Sequence, residues 1–170
     1  MLKVRDATIA DRDLLARLGA ATYRSHFTAI WSPGRLEAYI AAEYASAALE
    51  QSLAGPDVCL WLIAELGAEP IGFAKLNWNR APPASQEIGT ELQKIYLLAE
   101  YTGKSHGGTM LQAVIDRSKA HGSALLWLDV LKSNAGARAF YERHGFKTIA
   151  EIPFATDLTE IGMWVMVRAV

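Results

Sequence analysis

A glycine-rich turn between a strand-like run and an amphipathic helix is the most informative feature of this sequence. Within the segment from Ile95 to Gly122, an apolar run ends at Leu98 and a helical pattern follows, with apolar residues on one side at Leu111, Val114 and Ile115. The turn between them carries Gly103, Gly107 and Gly108. The first N–H groups of a helix lack internal acceptors, and glycine lets a ligand approach the backbone. The segment therefore predicts an anion site for a ligand that carries phosphates.

Two other interpretations of this turn stay open. The tripeptide Gly-Lys-Ser at 103–105 matches the end of a P-loop. A P-loop also needs a glycine five residues earlier, where this chain has Leu98, and its helix should begin at the Lys-Ser pair, whereas Gly107 and Gly108 intervene. The segment could also be a solvated turn that is merely rich in glycine.

A second segment combines a helix with an aromatic pair. It follows an apolar strand-like run over 124–130 and has the pattern of a short helix that ends before a glycine. Ser133 or Asn134 can cap its N-terminus. Ala137 and Tyr141 are four residues apart and therefore lie on one face.

Both segments resemble the cofactor site of the GNAT superfamily of N-acetyltransferases. The family's loop usually reads Arg/Gln-Gly-x-Gly-x-Gly/Ala before a helix, and the stretch 102–107 here reads Thr-Gly-Lys-Ser-His-Gly. The second segment is similar to the family pattern Asn-x-x-Ala-x-x-Phe-Tyr-x-x-x-Gly-Phe, which it matches at Asn134, Ala137, Phe140, Tyr141, Gly145 and Phe146. The resemblance extends over nearly the whole chain, and these two motifs are its specific part.

The resemblance implies that acetyl-CoA is the acyl donor. In the family, strand residues before the loop pair with the pantetheine arm, and by position these are Tyr96, Leu97 and Leu98. Loop amides hold the pyrophosphate, which here implies Thr102, Gly103, Lys104, Ser105, His106, Gly107 and Gly108. The second motif adds Asn134 against the pantetheine arm, with Ala137 and Tyr141 beside it.

The transfer of an acetyl group to an amine needs a base and an acid. The amine must lose a proton before it attacks the thioester, and the thiolate leaves better when it is protonated. The resemblance implies Tyr141 as the acid. Glu91 is the predicted base, directly or through water, on a strand where alternation puts Gln93, Ile95 and Leu97 on the same side. Glu91 could equally be a surface charge of the sheet.

By analogy, the amide of Leu97 would polarise the thioester carbonyl, because a preorganised donor stabilises the developing oxyanion. No cysteine or serine is placed for nucleophilic attack, so we expect direct transfer. The single cysteine, Cys59, excludes internal disulfides and lies in an apolar run, which predicts a buried, inert thiol.

The N-terminal half suggests the acceptor. The stretches 22–27, 71–77 and 91–96 look similar to the PaiA-like spermidine/polyamine acetyltransferases, which implies a small-molecule amine, with a polyamine as one option. An apolar slot for a methylene chain could be lined by Tyr23, Phe27, Trp31 and Trp78. Aromatic residues more often fill a core, and that alternative stays open. The acids that could attract a polyamine, or be solvated charges, are Glu37, Glu43 and Glu87.

These residues need an α/β framework to hold them. The order of apolar patterns predicts one domain over 1–170 with the GNAT fold, a mixed and mostly antiparallel sheet flanked by helices. Predicted strands cover 2–7, 58–66, 70–78, about 87–98, 124–130, 147–153 and 159–167. Predicted helices run from Thr8 to about 27, from Pro33 to about 54 with a break near 44–46, and through the two motifs.

Charge and hydropathy exclude several functions. The net charge of −1 provides no basic field for nucleic acid or an anionic membrane. The longest strongly apolar run, 58–64, is too short to span a bilayer, and the N-terminus lacks an apolar signal core, so we expect a cytoplasmic protein. The four histidines are scattered and predict no metal site. A homodimer is one option for its assembly.

Three functions therefore remain distinct. The first is an N-acetyltransferase that acts on a primary amine of a small molecule. The second is a CoA-binding module that has lost catalysis, which the departures from the family loop at Thr102, Ser105 and His106 would favour. The third is a P-loop-like nucleotide binder.

Overall fold

A computed structural model describes residues 1–170. The strands are β1 (Leu2–Asp6), β2 (Cys59–Leu66), β3 (Glu69–Arg80), β4 (Gly89–Leu97), β5 (Leu125–Leu131), β6 (Lys147–Ile152) and β7 (Met163–Ala169). The helices are α1 (Arg12–Phe27), α2 (Pro33–Glu43), α3 (Ser46–Leu53), α4 (His106–Ala120) and α5 (Ala135–Arg143). Short 3-10 turns at Ile9–Asp11 and Ala99–Tyr101 precede α1 and follow β4. None of the helices has both the length and the apolar character needed to cross a membrane.

The seven strands form one sheet in the order β1-β2-β3-β4-β5-β7-β6. All neighbouring strands are antiparallel except β4 and β5. That parallel pair aligns only Thr90 with Leu126 and Glu91 with Trp127, at the start of each strand. The two strands therefore separate toward their C-terminal ends, and a gap opens in the sheet beside 93–97. The predicted mixed, mostly antiparallel sheet is confirmed.

Two apolar clusters cover the two faces of this sheet. On one face, which we call the α4 face, α4 packs Met110, Leu111, Val114 and Ile115 against Leu126 and Leu128 of β5. On the other, the α1–α3 face, the three N-terminal helices pack Leu15, Leu36 and Leu49 against Trp61 and Phe73. Helix α4 is amphipathic because its apolar residues recur at three- and four-residue spacing. The gap between β4 and β5 thus lies between two rigid layers.

A β-bulge in β4 changes which residues share a face. Lys94 pairs with Lys75, but the next pairs are Leu92 with Leu76 and Glu91 with Asn77, so Gln93 has no partner. An extra residue reverses the alternation beyond it. The expectation that Ile95 and Leu97 share the side of Glu91 is therefore wrong. Ile95 and Leu97 pack on the α4 face together with Leu92.

Most predicted boundaries hold within a few residues. The predicted break in the second helical stretch is confirmed, since α2 ends at Glu43 and α3 begins at Ser46. The last strand begins at Met163 rather than at 159. Residues 154–162 instead form a loop whose Asp157 accepts hydrogen bonds from the backbone and hydroxyl of Ser32. This loop therefore meets the connection between α1 and α2.

The first turn of α4 begins earlier than the sequence suggested. Its first helical residue is His106, so Gly107 and Gly108 lie inside the helix and not in the turn before it. Glycine is tolerated there because tertiary contacts, and not helix propensity, hold this end of α4. The helix thus starts directly after Ser105.

Candidate active site

The gap between β4 and β5 exposes one backbone amide. Leu98 donates its N–H to the carbonyl of Ile71 on the neighbouring β3 at 2.8 Å. In an antiparallel pair, the backbone groups of successive residues point alternately toward and away from the partner strand. Leu97 therefore directs its N–H and carbonyl into the gap, and its carbonyl accepts a hydrogen bond from His26 Nε2 at 2.9 Å. Of the predicted arm-binding residues Tyr96, Leu97 and Leu98, only Leu97 keeps a free N–H.

The loop before α4 has the backbone shape of a glycine-rich anion site. Gly103 has φ of +72° and Ser105 has φ of +66°, which is a left-handed conformation that favours glycine. Residues Thr102, Gly103, Lys104 and Ser105 are exposed to solvent. The N–H groups of the first turn of α4 have no intrahelical acceptor, and this end of the helix favours negative charge. The loop and helix therefore present backbone donors to an anion.

Two glycines in the first turn of α4 face side chains of α5. A Cβ on Gly107 would lie 3.6 Å from the ring of Phe140, and a Cβ on Gly108 would lie 3.5 Å from His144 Nε2. His144 is itself anchored, because its Nδ1 donates to the carbonyl of Phe140 at 2.8 Å. The two motifs of the sequence therefore meet in space at the N-terminus of α4.

Helix α5 begins at the asparagine that the second motif supplies. Asn134 caps the helix, and its Oδ1 accepts a hydrogen bond from the N–H of Ala137 at 3.1 Å. Capping leaves the amide NH₂ group of Asn134 free on an exposed surface. One turn later, Tyr141 packs between Phe140 and Phe146 at centroid distances of 5.3 and 5.5 Å. The same motif therefore caps helix α5 and presents two polar groups, the amide NH₂ of Asn134 and the hydroxyl of Tyr141.

The Tyr141 hydroxyl is unpaired in the protein. Its side chain is 8 % exposed, yet the hydroxyl is not among the fully buried atoms that lack a partner. Burial, followed by the negative charge of Asp129, raises the pKa of Tyr141. A phenol with a raised pKa keeps its proton at neutral pH, which is the state that a proton donor needs.

Two carboxylates, Glu91 on β4 and Asp129 on β5, are near enough for the charge of Glu91 to act on Asp129. Glu91 accepts a hydrogen bond from Nδ2 of Asn77 at 2.8 Å across the β3–β4 pair. Asp129 on β5 forms no ion pair or hydrogen bond with protein groups. Although Asp129 reaches solvent, the protein atoms around it desolvate its carboxyl group, and together with the charge of Glu91 they raise its pKa. The site therefore combines a neutral phenol with an acidic pair.

The two tyrosines beside the gap, Tyr141 and Tyr96, come from opposite faces of the sheet. Tyr141 belongs to the cluster on the α4 face, whereas Tyr96 packs with the cluster on the α1–α3 face. Burial raises the pKa of Tyr96, with smaller contributions from Tyr141 and Asp129, so these groups are neighbours. Such proximity is possible only because β4 and β5 separate here. The free N–H of Leu97 thus lies beside the gap, whereas Glu91 lies at the paired start of β4, opposite Trp127.

An aromatic cluster adjoins this gap on the α1–α3 face, made of Tyr23, Phe27, Trp31, Tyr39 and Tyr96. Its ring centroids lie 4.3 Å apart for the first pair and 5.7 Å apart between Phe27 and Tyr96. Trp31 donates from Nε1 to the Tyr23 hydroxyl at 3.2 Å. The expected grouping of Tyr23, Phe27 and Trp31 is thus found in space.

Trp78 does not belong to this aromatic cluster. It lies on the α4 face, stacks on His121 at a centroid distance of 3.9 Å, and donates to the carbonyl of Pro56 at 3.1 Å. The expectation that it lines the same slot is wrong, because strand alternation on β3 points Trp78 away from the neighbouring Asn77. Trp78 is a core residue of the apolar cluster on the α4 face.

Sequence reasoning missed four residues around the gap. They are His26, Tyr39, Asn77 and Asp129. Only Asp129 had a signal in the sequence, because it is the one charge in the apolar run 124–130. The other three reach the site through strand register and helix packing. Cys59 is buried, as predicted, and its thiol donates to the carbonyl of Ser52 at 3.3 Å.

The sequence matches the acetyltransferase (GNAT) family over residues 21–146. The chain belongs to that family. The matched range includes β4, its bulge, the loop before α4 and all of α5. This acetyltransferase is accordingly an acyltransferase with acetyl-CoA as its acyl donor, and both predictions are confirmed. No group of three or more histidine, cysteine, aspartate or glutamate side chains is placed to hold a metal ion.

Three comparisons place the acetyltransferase among its relatives. It is 28 % identical over 152 residues to a spermidine N(1)-acetyltransferase of Thermoplasma acidophilum, which covers 86 % of this chain and 88 % of that protein. It is 25 % identical over 152 residues to an L-methionine sulfoximine/L-methionine sulfone acetyltransferase of Pseudomonas paraeruginosa, with 88 % and 83 % covered. The fold is similar to that of the PaiA N-acetyltransferase of Thermoplasma acidophilum in complex with coenzyme A, at a TM-score of 0.80, 24 % identity, and 100 % and 99 % coverage.

Proposed function

We propose that this acetyltransferase transfers the acetyl group of acetyl-CoA to a primary amine of a small molecule by direct attack. The observation that carries this proposal is the free N–H of Leu97 beside the gap between β4 and β5, with the neutral hydroxyl of Tyr141 near Tyr96 and with Glu91 on the same strand as Leu97. An acid, a base and an oxyanion donor are the groups that such a transfer needs.

The reaction uses each group once. The neutral amine attacks the thioester carbonyl carbon, a C–N bond forms, and the developing oxyanion accepts a hydrogen bond from Leu97 N–H. The C–S bond then breaks, and Tyr141 donates its proton to the departing thiolate. Before the attack, Glu91 accepts one proton from the acceptor's ammonium group, directly or through water, and the attacking nitrogen loses its second proton to solvent as the C–S bond breaks. The hydrogen bond from Asn77 keeps the Glu91 carboxylate oriented without neutralising it.

The donor is expected to lie in the gap with its phosphates at α4. The pyrophosphate would meet backbone N–H groups from the loop 102–105 and from His106, Gly107 and Gly108, which the exposure of the loop 102–105 supports. The pantetheine arm would pass Leu97 and the Asn134 amide. Ser105 keeps a left-handed backbone although it is not glycine, so the loop retains its shape despite the departures from the family pattern.

The acceptor is open between several classes of amine. A polyamine would need carboxylates for its second ammonium group. Glu37 is already paired with Arg24 at 2.7 Å, and Glu43 with Lys94 at 2.8 Å, so neither is free for that purpose. The aromatic cluster could still contact the acceptor's methylene chain through Tyr23, Phe27 and Trp31.

A binding assay and an acceptor screen test the function together. Acetyl-CoA at a hundred times its Kd should stabilise the fold by about 2.7 kcal/mol, which for a chain of this size is a rise in Tm of roughly 5 to 11 °C. Free thiol release should then depend on an added primary amine. A larger rise in Tm with ATP and magnesium than with acetyl-CoA, or thiol release that no amine increases, would contradict the proposal.

A further inference from the structure

A cavity separate from the gap between β4 and β5 lies on the α1–α3 face next to Glu91. It has a volume of about 400 Å³ and opens between α3 and the strands β3 and β4. Its polar lining consists of two cations and three side-chain amides, with Ser52 beside them: Lys75, Arg80, Gln51, Asn77 and Gln93. The β-bulge places Gln93 here, since it has no partner on β3. No residue that lines this cavity carries a carboxylate.

The two cations of the cavity have no counter-ion in the protein. Neither Lys75 nor Arg80 takes part in an ion pair, whereas the neighbouring Lys94 is paired with Glu43 at 2.8 Å. Lys75 is half-buried, and its ammonium lies 5.3 Å from the centroid of the Trp61 ring. Burial lowers the pKa of Lys75, and the charges of Glu43 and Glu91, neither of which pairs with it, oppose this effect only in part. A bound anion would compensate this desolvation.

The cavity and the predicted base share a wall. Asn77 lines the cavity and also donates to Glu91, so the base stands at the cavity's edge. Lys75 is two residues from Asn77 on the same face of β3, which is about 7 Å along the strand. An amine held by Glu91 would therefore extend its substituent toward the cationic head groups.

We propose that this cavity binds the carboxylate of the acceptor, so that the preferred acceptors are amines that also carry a carboxylate. Lys75 and Arg80 supply the charge, and the amides of Gln51 and Gln93 supply further donors. The inference rests on the proposed acetyl transfer to a small-molecule amine. It differs from the polyamine prediction in the sign of the charge that the acceptor's far end carries.

The test compares acceptors that differ only by the carboxylate. Glycine, 4-aminobutyrate and 6-aminohexanoate are each compared with the amine in which hydrogen replaces the carboxylate, namely methylamine, propylamine and pentylamine. For at least one chain length, kcat/KM should be roughly ten to one hundred and fifty times higher for the carboxylate, the range for a hydrogen bond to a charged group. The Lys75→Met variant should lose most of that preference, and Lys75→Arg should keep it. Lys147→Met, at an exposed lysine outside the cavity, is the matched control and should leave the preference unchanged.

A binding measurement separates failure of this inference from failure of the proposed function. Butyrate, an anion without an amine, should bind the CoA-saturated protein in calorimetry and should bind Lys75→Met much more weakly. The inference is overturned, while the transferase function stands, if amines are acetylated but spermidine or the amines without a carboxylate are preferred. The same holds if Lys75→Met keeps the carboxylate preference. If no amine is acetylated, the function fails, and butyrate binding that depends on Lys75 still supports the anion site. Absence of that binding overturns it.

Discussion

Asn77 Nδ2 donates a hydrogen bond to Glu91 Oε2 across the β3–β4 pair at 2.8 Å. A neutral amide orients the carboxylate and leaves its charge intact, in contrast to the ion pair that a lysine or arginine would form. The contact exists because the bulge at Gln93 aligns Glu91 with Asn77. The Glu91 carboxylate is therefore held in one orientation at the start of β4, where β4 still pairs with β5.

The first prediction concerns this base. Glu91→Gln should lower kcat/KM at pH values below the pKa of the acceptor amine, because fewer amines are then deprotonated and none is assisted. High pH should partly restore the rate, since the amine loses its proton to solvent. The measurement is a pH profile of thiol release. Glu50→Gln, at an exposed ion pair on α3, should show the unaltered profile. A uniform loss of rate at every pH would assign Glu91 a structural role.

The second prediction concerns the acid. Tyr141→Phe keeps the ring between Phe140 and Phe146 and removes only the hydroxyl. Its kcat should fall roughly a hundred- to ten-thousandfold with acetyl-CoA affinity nearly unchanged, because general acid catalysis acts in the transition state. High pH should not rescue it. The same change at Tyr44, whose buried hydroxyl has no partner, should leave kcat unchanged. Near-normal turnover in Tyr141→Phe would make Tyr141 a packing residue.

The third prediction concerns the N-terminus of α4. Gly107→Glu should abolish binding of acetyl-CoA, because a carboxylate beside the first helical N–H groups repels the pyrophosphate. Gly107→Ala separates charge from bulk, since its Cβ would make an ordinary contact with Phe140 at 3.6 Å. It should bind acetyl-CoA nearly as the wild type does. Isothermal calorimetry on both variants provides the comparison, and retained affinity in Gly107→Glu would place the phosphates elsewhere.

The left-handed Ser105 extends this test to the loop before the helix. Ser105→Gly should leave acetyl-CoA binding unchanged or slightly improve it, because glycine adopts φ of +66° without steric cost. A clear loss of affinity in Ser105→Gly would show that the serine hydroxyl itself contacts the ligand.

The fourth prediction concerns the pH dependence of stability at Asp129. Burial and the charge of Glu91 raise its pKa, so the folded state binds a proton more tightly than the unfolded state does. Stability is therefore lost as pH rises from the unfolded pKa through the folded one, and the penalty is complete above both. Asp129→Asn removes the charge and should raise Tm at pH 7, with the gain vanishing below about pH 4, the usual Asp pKa. An equal gain at all pH values would contradict this account.

If Asp129 serves catalysis, the same variant should also lose activity. A charge that is retained at a cost in stability is typical of functional sites. Asp13→Asn, at an exposed aspartate on α1, is the matched control and should change neither property.

The fifth prediction compares a buried ion pair with an exposed one. Lys94 is 6 % exposed and bonds to Glu43 at 2.8 Å, with its ammonium also 5.4 Å from the Tyr44 ring. Glu43→Gln leaves a buried ammonium without its counter-ion and should cost about 1 to 3 kcal/mol of unfolding free energy, less than for a fully buried pair because Glu43 is partly solvated. Glu37→Gln breaks the pair between two exposed groups, Glu37 and Arg24, and should cost much less, because solvent screens that pair. Urea unfolding of both variants gives the two values, and equal losses would contradict the burial argument.

The sequence by itself determined the two motifs and the elements that carry them. The glycines before α4 and the Asn-Ala-Phe-Tyr pattern of α5 are local signals, because helix caps, turns and amphipathic faces depend on residues within a few positions of one another. The break between α2 and α3 could therefore be predicted from local pattern, whereas acetyl-CoA as donor and the mixed sheet were predicted through the resemblance that these motifs carry.

Only the tertiary structure decided which side chains meet at the gap. One unpaired residue, Gln93, reverses the faces of β4, and strand alternation alone predicted the wrong neighbours for Glu91. Trp78 and Trp31 are both tryptophans that could line an aromatic slot, but they lie on opposite sides of the sheet. Strand register and helix docking join residues such as Asn77 and Glu91, or His26 and Leu97, that are far apart in the chain. Burial against the whole fold sets this pairing, and no local pattern encodes it.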